Sequence, residues 1–400
     1  MRHYVLFDTK EIHLNLLPLS FTRPIAQFRV GIDTIADKWN ALLGAECTFR
    51  PVEYLRMKFE QLPADDADTI YIAGNIIPTS ELAEKVAGLK KGETLYDEKG
   101  IVAVRGITPS EETVCPEGEL ELLETRRINY VFDIFLRNAE VLREDFRRIT
   151  AGRKSRPLSV SNRVIGPYLD EEGNPLIFLE EGASAEGAVF NTTEGPVYIG
   201  EDAQVMECAA VRGPVAFNRK VKIKMGAKIY GGTTFGPYCK IGGEVDNTVV
   251  FGYSNKAHDG YLGNAVVGEW CNIGAGVNAS NLKNDYSFIR IWNYATRSFM
   301  RTKLQFCGLI MGDHSKAGIN CMFNTATVVG VGCNIYGSGF PRVFIPSFSE
   351  GSPASGFSDV SLKKFYDIAE RVLSRRELML DDEDRRIYER VYAVAESLKH

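Results

Sequence analysis

The chain has 400 residues, 44% hydrophobic and 25% charged; that exceeds what one hydrophobic core usually serves, so two or more structural units are expected and disorder is excluded. Its 47 basic and 52 acidic side chains leave a formal charge of −5, and no basic run is long enough to follow a phosphate backbone, which excludes nucleic acid as the main partner. No apolar run reaches the roughly 18 residues of a membrane span, and the first eight residues read as a strand rather than a leader, so a cytoplasmic protein with no membrane partner is expected.

In chain order, residues 1 to about 105 alternate short apolar runs with helical stretches. YVLF is followed by a helix over 32–43, then ECTF, TIYIAGN and a helix over 80–89. That alternation reads as an α/β layer with some parallel strands. A helix is expected over 129–149, with Val131, Ile134, Phe135, Leu142 and Phe146 near one face, and AGRKSRPLS then serves as a linker.

The next stretch has a period of six. Ile199, Val205, Val211, Phe217, Ile223, Ile229, Phe235 and Ile241 are spaced six apart, a coincidence of about one in 700 by chance at this composition. The phase returns at Val267 and Ile273, and again at Met311, Ala317, Phe323, Val329 and Ile335. Six residues make a short strand and a turn, so three hexads close one triangular coil, and a left-handed parallel β-helix is expected. Cys239, Cys271, Cys321 and Cys333 stand two positions ahead of hexad residues, at small inward sites. With no CxxC pair among the eight cysteines, all are read as reduced.

Residues 281–306 break the period with an aromatic and basic insertion, of the kind that often lines a site. Two amphipathic helices end the chain, with stripes at Leu362, Phe365, Ala369 and Val372 and at Ile387, Val391, Val394 and Leu398, expected to pack on the long helix or on another subunit. The resulting division is an α/β unit over 1–110, a connecting segment and helix over 111–160, a β-helix over 161–345 and a helical tail over 346–400.

Only His258 and His314 fall in the solenoid, too few for a three-histidine zinc site, and no metal site is expected there. His258 stands among glycines, with Tyr261, Asn272 and Asn281 nearby. A base that takes a proton from an attacking amine needs a pKa near the working pH, which favours histidine. His314 has no such company and reads as an exposed corner residue. Asp8, at the end of the first strand, reads as a strand-end cap.

HDGYLGNAVVGEWCNIGAGVNASN resembles the acyltransferase core of the bifunctional N-acetylglucosamine-1-phosphate uridylyltransferase/glucosamine-1-phosphate N-acetyltransferase family, with the histidine, tyrosine, both asparagines and the GAG run in register. The resemblance implies that His258 is the general base, that Tyr261, Asn272 and Asn281 hold the sugar, and that Ala275 and Gly276 lie near the thioester of acetyl-CoA. MGDHSKAGINCMFNTATVVG, with Gly318, resembles the following coils, which border the coenzyme. LLPLSFTRPIAQFRVG is similar to the L-x-P-L-T-x-x-x-P-K-P-L-x-x-V-x-G segment of sugar-1-phosphate nucleotidylyltransferases. Together these imply a nucleotidyltransferase-like α/β domain joined to a hexapeptide-repeat β-helix in a homotrimer. They imply amino-sugar phosphate and nucleotide substrates, a UDP-N-acetylglucosamine-like product, and Mg2+ if the first domain is active.

The departures are specific. DTKEIHLN replaces the glycine-rich phosphate loop and lacks the glycines of an anion nest. Ile25 replaces the family's lysine, leaving Arg23 and Arg29 as the nearest cations for substrate; like Lys38, they also read as salt-bridge partners. Asn75 replaces the magnesium-binding aspartate. Asp246 replaces the sugar-phosphate lysine, with Lys240, Lys256 or the insertion's Arg290, Arg297, Arg301 and Lys303 as substitutes. Two alternatives remain beside the bifunctional enzyme: an acyltransferase whose first domain only binds, and a non-catalytic trimeric scaffold.

Overall fold

The computed structural model describes residues 2–61, 68–112 and 122–398; Cys115 lies outside them. The first unit is built on a five-stranded sheet in the order Thr48–Arg50, His3–Phe7, Thr69–Ala73, Gly100–Arg105, Thr94–Asp97. The first three strands are parallel and the last two antiparallel. Strands covered on both faces need no polar alternation, hence the nearly unbroken apolar runs of His3–Phe7 and Thr69–Ala73. The helix expected from residue 32 begins later, at Ile35–Leu43, because Thr34 and Asp37 form a reciprocal capping box; Gly44 ends it at φ 61°.

The long helix, Asp133–Thr150, starts where the Asp133 carboxylate accepts from the backbone N–H groups of Asn129 (2.8 Å) and Tyr130 (2.9 Å). It lies between the sheet unit and the solenoid. Asn138, fully buried on it, joins both: its Oδ1 accepts from Gly31 N (2.6 Å), and its Nδ2 donates to Gly232 O (2.7 Å) and Thr234 Oγ1 (3.0 Å).

The solenoid consists of three sheets of ten, eight and nine strands, parallel but for the last pair of the first. Ile199, Phe217, Phe235, Val250, Val267, Met311 and Val329 stack in register on one face. Val211, Ile229, Val245, Leu262, Ala279 and Phe323 do so on the second. All are buried, each contributing about 1.5–3 kcal/mol for the larger side chains. Cys239, Cys271, Cys321 and Cys333 are buried thiols, and Cys208 is exposed. The apparent break after Ile241 is filled by a complete coil. Its inward residues Val245, Val250 and Lys256 hold the stack, the first two at shortened spacings, with Lys256 opposite Ile241.

Insertion and tail differ from expectation. The insertion forms a hairpin of Arg290–Asn293 and Ser298–Arg301 that docks on the first unit. Asn293 Nδ2 donates to Asn15 Oδ1 (2.9 Å), and Phe21 meets Tyr294 edge to face at 5.6 Å. The tail helices Leu362–Leu373 and Asp382–Glu396 pack on a solenoid corner of the same chain. Phe365 and Tyr388 close edge-on over His314 at 5.5 and 5.7 Å. His314 is therefore buried, not exposed, and burial holds its pKa well below the usual histidine value. Lys58 of the first unit pairs with Asp381 (3.0 Å) and Asp384 of the tail.

Candidate functional site

His258 is exposed at the corner between the strands Asn255–Lys256 and Tyr261–Gly263. The turn needs Gly260, at φ 127°, because a Cβ there would lie 2.0 Å from Val277 O. Gly276 N donates to Asp259 O (2.9 Å) and Asn320 N to Ala275 O (2.8 Å). His258–Asp259, Ala275–Gly276 and Gly318–Asn320 thus occupy one corner on three successive coils, and the residues named for base and coenzyme come together. Met225, Ile319 and Tyr336, at 69%, 70% and 45% exposure, continue an apolar edge along this corner. Being scattered through the chain, they carry no sequence signal.

On the adjoining face, Asn281 Nδ2 donates to Tyr261 Oη (2.9 Å) and to Asn264 Oδ1 (2.7 Å). Tyr261 folds over Gly263, where any Cβ would lie 2.2 Å from its hydroxyl. Burial, with Asp246 and Glu244 nearby, pushes the Tyr261 phenol up to about 12, so it acts as a neutral hydrogen-bonding group. Asn272 is exposed one coil above Asn255 on the ten-stranded face.

The cations named for phosphate lie elsewhere. Lys256 occupies an inward hexad position, 3% exposed, and its Nζ donates to Gly242 O and His258 O, both at 3.0 Å. Burial lowers its pKa to about 8 against the pull of Asp259 and Glu244. It braces the corner that carries His258 instead of reaching outward. Arg23 is buried between the units, paired with Glu269 (3.0 Å) and Asp313 of the solenoid. Arg29 donates to Ile32 O, Phe251 O (3.4 Å) and Asn218 Oδ1 (3.4 Å). Both arginines thus serve as docking contacts, because the segment that carries them faces the solenoid. Lys38 likewise pairs with Asp145 at 2.8 Å. The cation next in line with Tyr261 is Lys228, with Glu244 between them.

A second candidate site lies at the carboxyl ends of the parallel strands, where α/β sheets place ligands. Asp8, Thr9, Asn75, Lys99, Glu112 and Arg127 line a narrow cleft there with about 20 Å3 of enclosed space, room for a water rather than a sugar ring. Asp8 Oδ2 accepts from Ile25 N (3.2 Å), whereas among the described residues Asp8 Oδ1 and Thr9 Oγ1 are buried without partners. Asn75 is fully engaged: its Oδ1 accepts from Arg127 (3.1 Å) and its Nδ2 donates to Ile128 O (3.2 Å) and Asn129 Oδ1 (3.3 Å). Among the described residues no group of three acidic, histidine or cysteine side chains converges; a Mg2+ in the cleft would rest on Asp8 and Glu112, with water and substrate phosphate completing its shell.

Burial, only partly offset by the Ile25 hydrogen bond, raises the Asp8 pKa from 3.8 to about 7. A carboxyl so raised contributes its full stability below pH 4 and loses it as pH rises through 7. Asp8→Asn is therefore expected to raise stability at pH 8 by ~3 kcal/mol, the gain shrinking towards pH 4. Denaturant unfolding at the two pH values measures this; an equal effect at both would show that Asp8 carries no buried charge.

Residues 4–154 match the model of the sugar nucleotidyl transferase family. The bifunctional protein GlmU of Methanocaldococcus jannaschii is 28% identical over 121 residues, 30% of this chain and 27% of that protein, so the chain spans about a quarter of the length of this relative. A solved structure, Arabidopsis UDP-N-acetylglucosamine acyltransferase, is 14% identical and covers 61% of this chain and 95% of that one, with a TM-score of 0.23, too loose a superposition to carry weight. The amino-terminal unit thus bears the signature of the sugar nucleotidyl transferase family, and its union with a hexad solenoid fits a divergent GlmU-like chain.

Proposed function

We propose that this chain works in nucleotide-sugar biosynthesis and that its solenoid moves an acetyl group from acetyl-CoA to the amine of an amino-sugar 1-phosphate. The observation that carries this reading is the single corner that stacks exposed His258, Ala275–Gly276 and Gly318 on successive coils. His258 takes the proton from the attacking amine. Tyr261 and Asn281, bonded to each other, present a fixed pair of polar groups to the sugar, with Asn272 on the other side of the corner. Asp246 and Glu244 give the Tyr261 face a negative field that draws in the cationic form of the amine. The small residues of the column, edged by Ile319 and Tyr336, admit a long thioester arm close to the backbone. The reading includes a cytoplasmic homotrimer, in which neighbouring copies cover the apolar edge.

Thiol release from acetyl-CoA with a panel of amino sugars and their 1-phosphates tests the reading, alongside light scattering for a particle of about three times 44.5 kDa. Release with no acceptor in the panel would leave the scaffold alternative standing. A second reading, nucleotidyl transfer by the first unit, is favoured by the family match over residues 4–154. Against turnover stand the narrow cleft, the engaged Asn75 and the helix Lys10–Asn15 where a phosphate loop would be. Pyrophosphate release from UTP and the other nucleoside triphosphates, with N-acetylglucosamine 1-phosphate and magnesium, separates a catalytic first unit from one that only binds.

A further inference from the structure

On the ten-stranded face, Lys222 and Lys240 stand directly opposite one another, outward neighbours of buried Ile223 and Ile241. Like charges so placed repel. Lys224 lies beside them, and the tail brings up Arg375 and Arg376 on the turn Ser374–Arg376. Burial, followed by the charges of Arg376, Arg375, Lys222 and Lys224, lowers the Lys240 pKa. At the adjoining corner Arg219, Lys220 and Arg376 surround the Tyr238 ring at 5.3, 5.5 and 5.4 Å from its centre, each contributing a modest cation–π attraction. The same ring is stacked on Tyr253 at 5.1 Å, and Tyr253 on Trp270 at 4.3 Å.

Seven cations from three separate stretches of chain thus share one surface, and among the described residues none of them is in a salt bridge. Four acidic residues stand on the neighbouring elements. Glu269 pairs with Arg23, Glu377 is exposed beyond Arg376, and Glu201 and Asp202 belong to the coil below. The positive stretch is short. Along the outward column it is bounded by Gln204 below Lys222 and by Asn255 and Asn272 above Lys240, so it spans two coils at about 5 Å per coil. That is the length of a di- or triphosphate, not of a polymer.

We propose that this surface binds a small polyphosphate anion, a molecule with two or more phosphate groups, with Lys240 one coil and Lys222 two coils from the strand that leads into His258. Arginine forks grip phosphate oxygens in pairs, and lysines supply point charges beside them. Such an anion relieves the repulsion of the opposed Lys222 and Lys240, and its binding weakens with salt. The proposal does not depend on acetyl transfer. Two sources share the chemistry, the phosphorylated end of coenzyme A and a free nucleotide.

Calorimetric titration of the full chain with sodium tripolyphosphate tests it. Wild type and His258→Ala are expected to bind alike, and the Lys222→Ala/Lys240→Ala/Arg375→Ala variant at least tenfold more weakly, with sulfate far weaker at equal ionic strength. Should the triple variant melt at a lower temperature than wild type, Lys240→Gln alone, expected to weaken binding about threefold, replaces it. Competition then assigns the source: displacement by coenzyme A but not UTP points to the acyl donor, and displacement by UTP to a free nucleotide. Equal tripolyphosphate affinity in wild type and variant overturns the proposal. So does a 20-nucleotide single strand that binds tenfold tighter than tripolyphosphate, which would make the surface a track for a polymer.

Discussion

On the acetyl-transfer reading proposed above, His258→Ala is expected to lower transfer by roughly 10²–10⁴-fold, the usual loss when a general base is removed, without lowering the melting temperature. The side chain is exposed at a corner, outside the stack of inward hexad residues, so its removal opens no cavity. The brace beneath it, Lys256 Nζ to His258 O at 3.0 Å, is made to the backbone and survives the substitution. Residual transfer in the variant should climb with pH, because solvent takes over the deprotonation of the amine once the imidazole is gone. Thiol release at several pH values, with the best acceptor from the panel, checks both the size and the slope. Undiminished transfer at neutral pH would remove His258 from the reaction while leaving the solenoid as described.

The regular part of this architecture was open to reading because burial in a solenoid repeats. Eight inward residues from Ile199 to Ile241 sit six apart, since each strand and turn uses the same number of residues. The coil just before the histidine corner was hidden for a physical reason. Its inward residues Val245, Val250 and Lys256 follow Ile241 at four, five and six residues, because two of its turns are shortened. One of them is also a lysine, which no apolar pattern would place inside. Lys256 is tolerated there because two backbone carbonyls receive its ammonium group. The corner ladder of Tyr238, Tyr253, Trp270 and His314 has no regular sequence period for a related reason: an insertion separates its last two members, and only the coil count aligns them. His258, Tyr261, Asn272 and Asn281 stand out in the sequence through a motif resemblance carried by a short stretch of chain, whereas Asp8 and Thr9 are marked only by the cleft, where among the described residues their buried oxygens lack partners.

Arg23→Ala is expected to cost about 3–5 kcal/mol, the usual penalty for leaving a buried charge without its partner. Asp313, 2% exposed, gathers Arg23, the Thr22 hydroxyl (2.6 Å) and Glu269 N (2.8 Å) on one carboxylate. Arg23 also contacts Glu269 and lies 5.5 Å from the centre of the Phe251 ring. Nothing in the local sequence announces this junction, because its partners lie 290 residues apart. If the arginine works as a docking contact, Arg23→Ala should loosen the first unit from the solenoid and expose the linker around residues 151–160 to protease. The double change Arg23→Met/Asp313→Leu, which removes both charges, should recover most of the loss. Thermal unfolding and limited proteolysis of the three proteins decide it. A single variant as stable and as resistant as wild type would mean that the buried pair does not hold the units together, and would return Arg23 to the list of residues free to meet a phosphate.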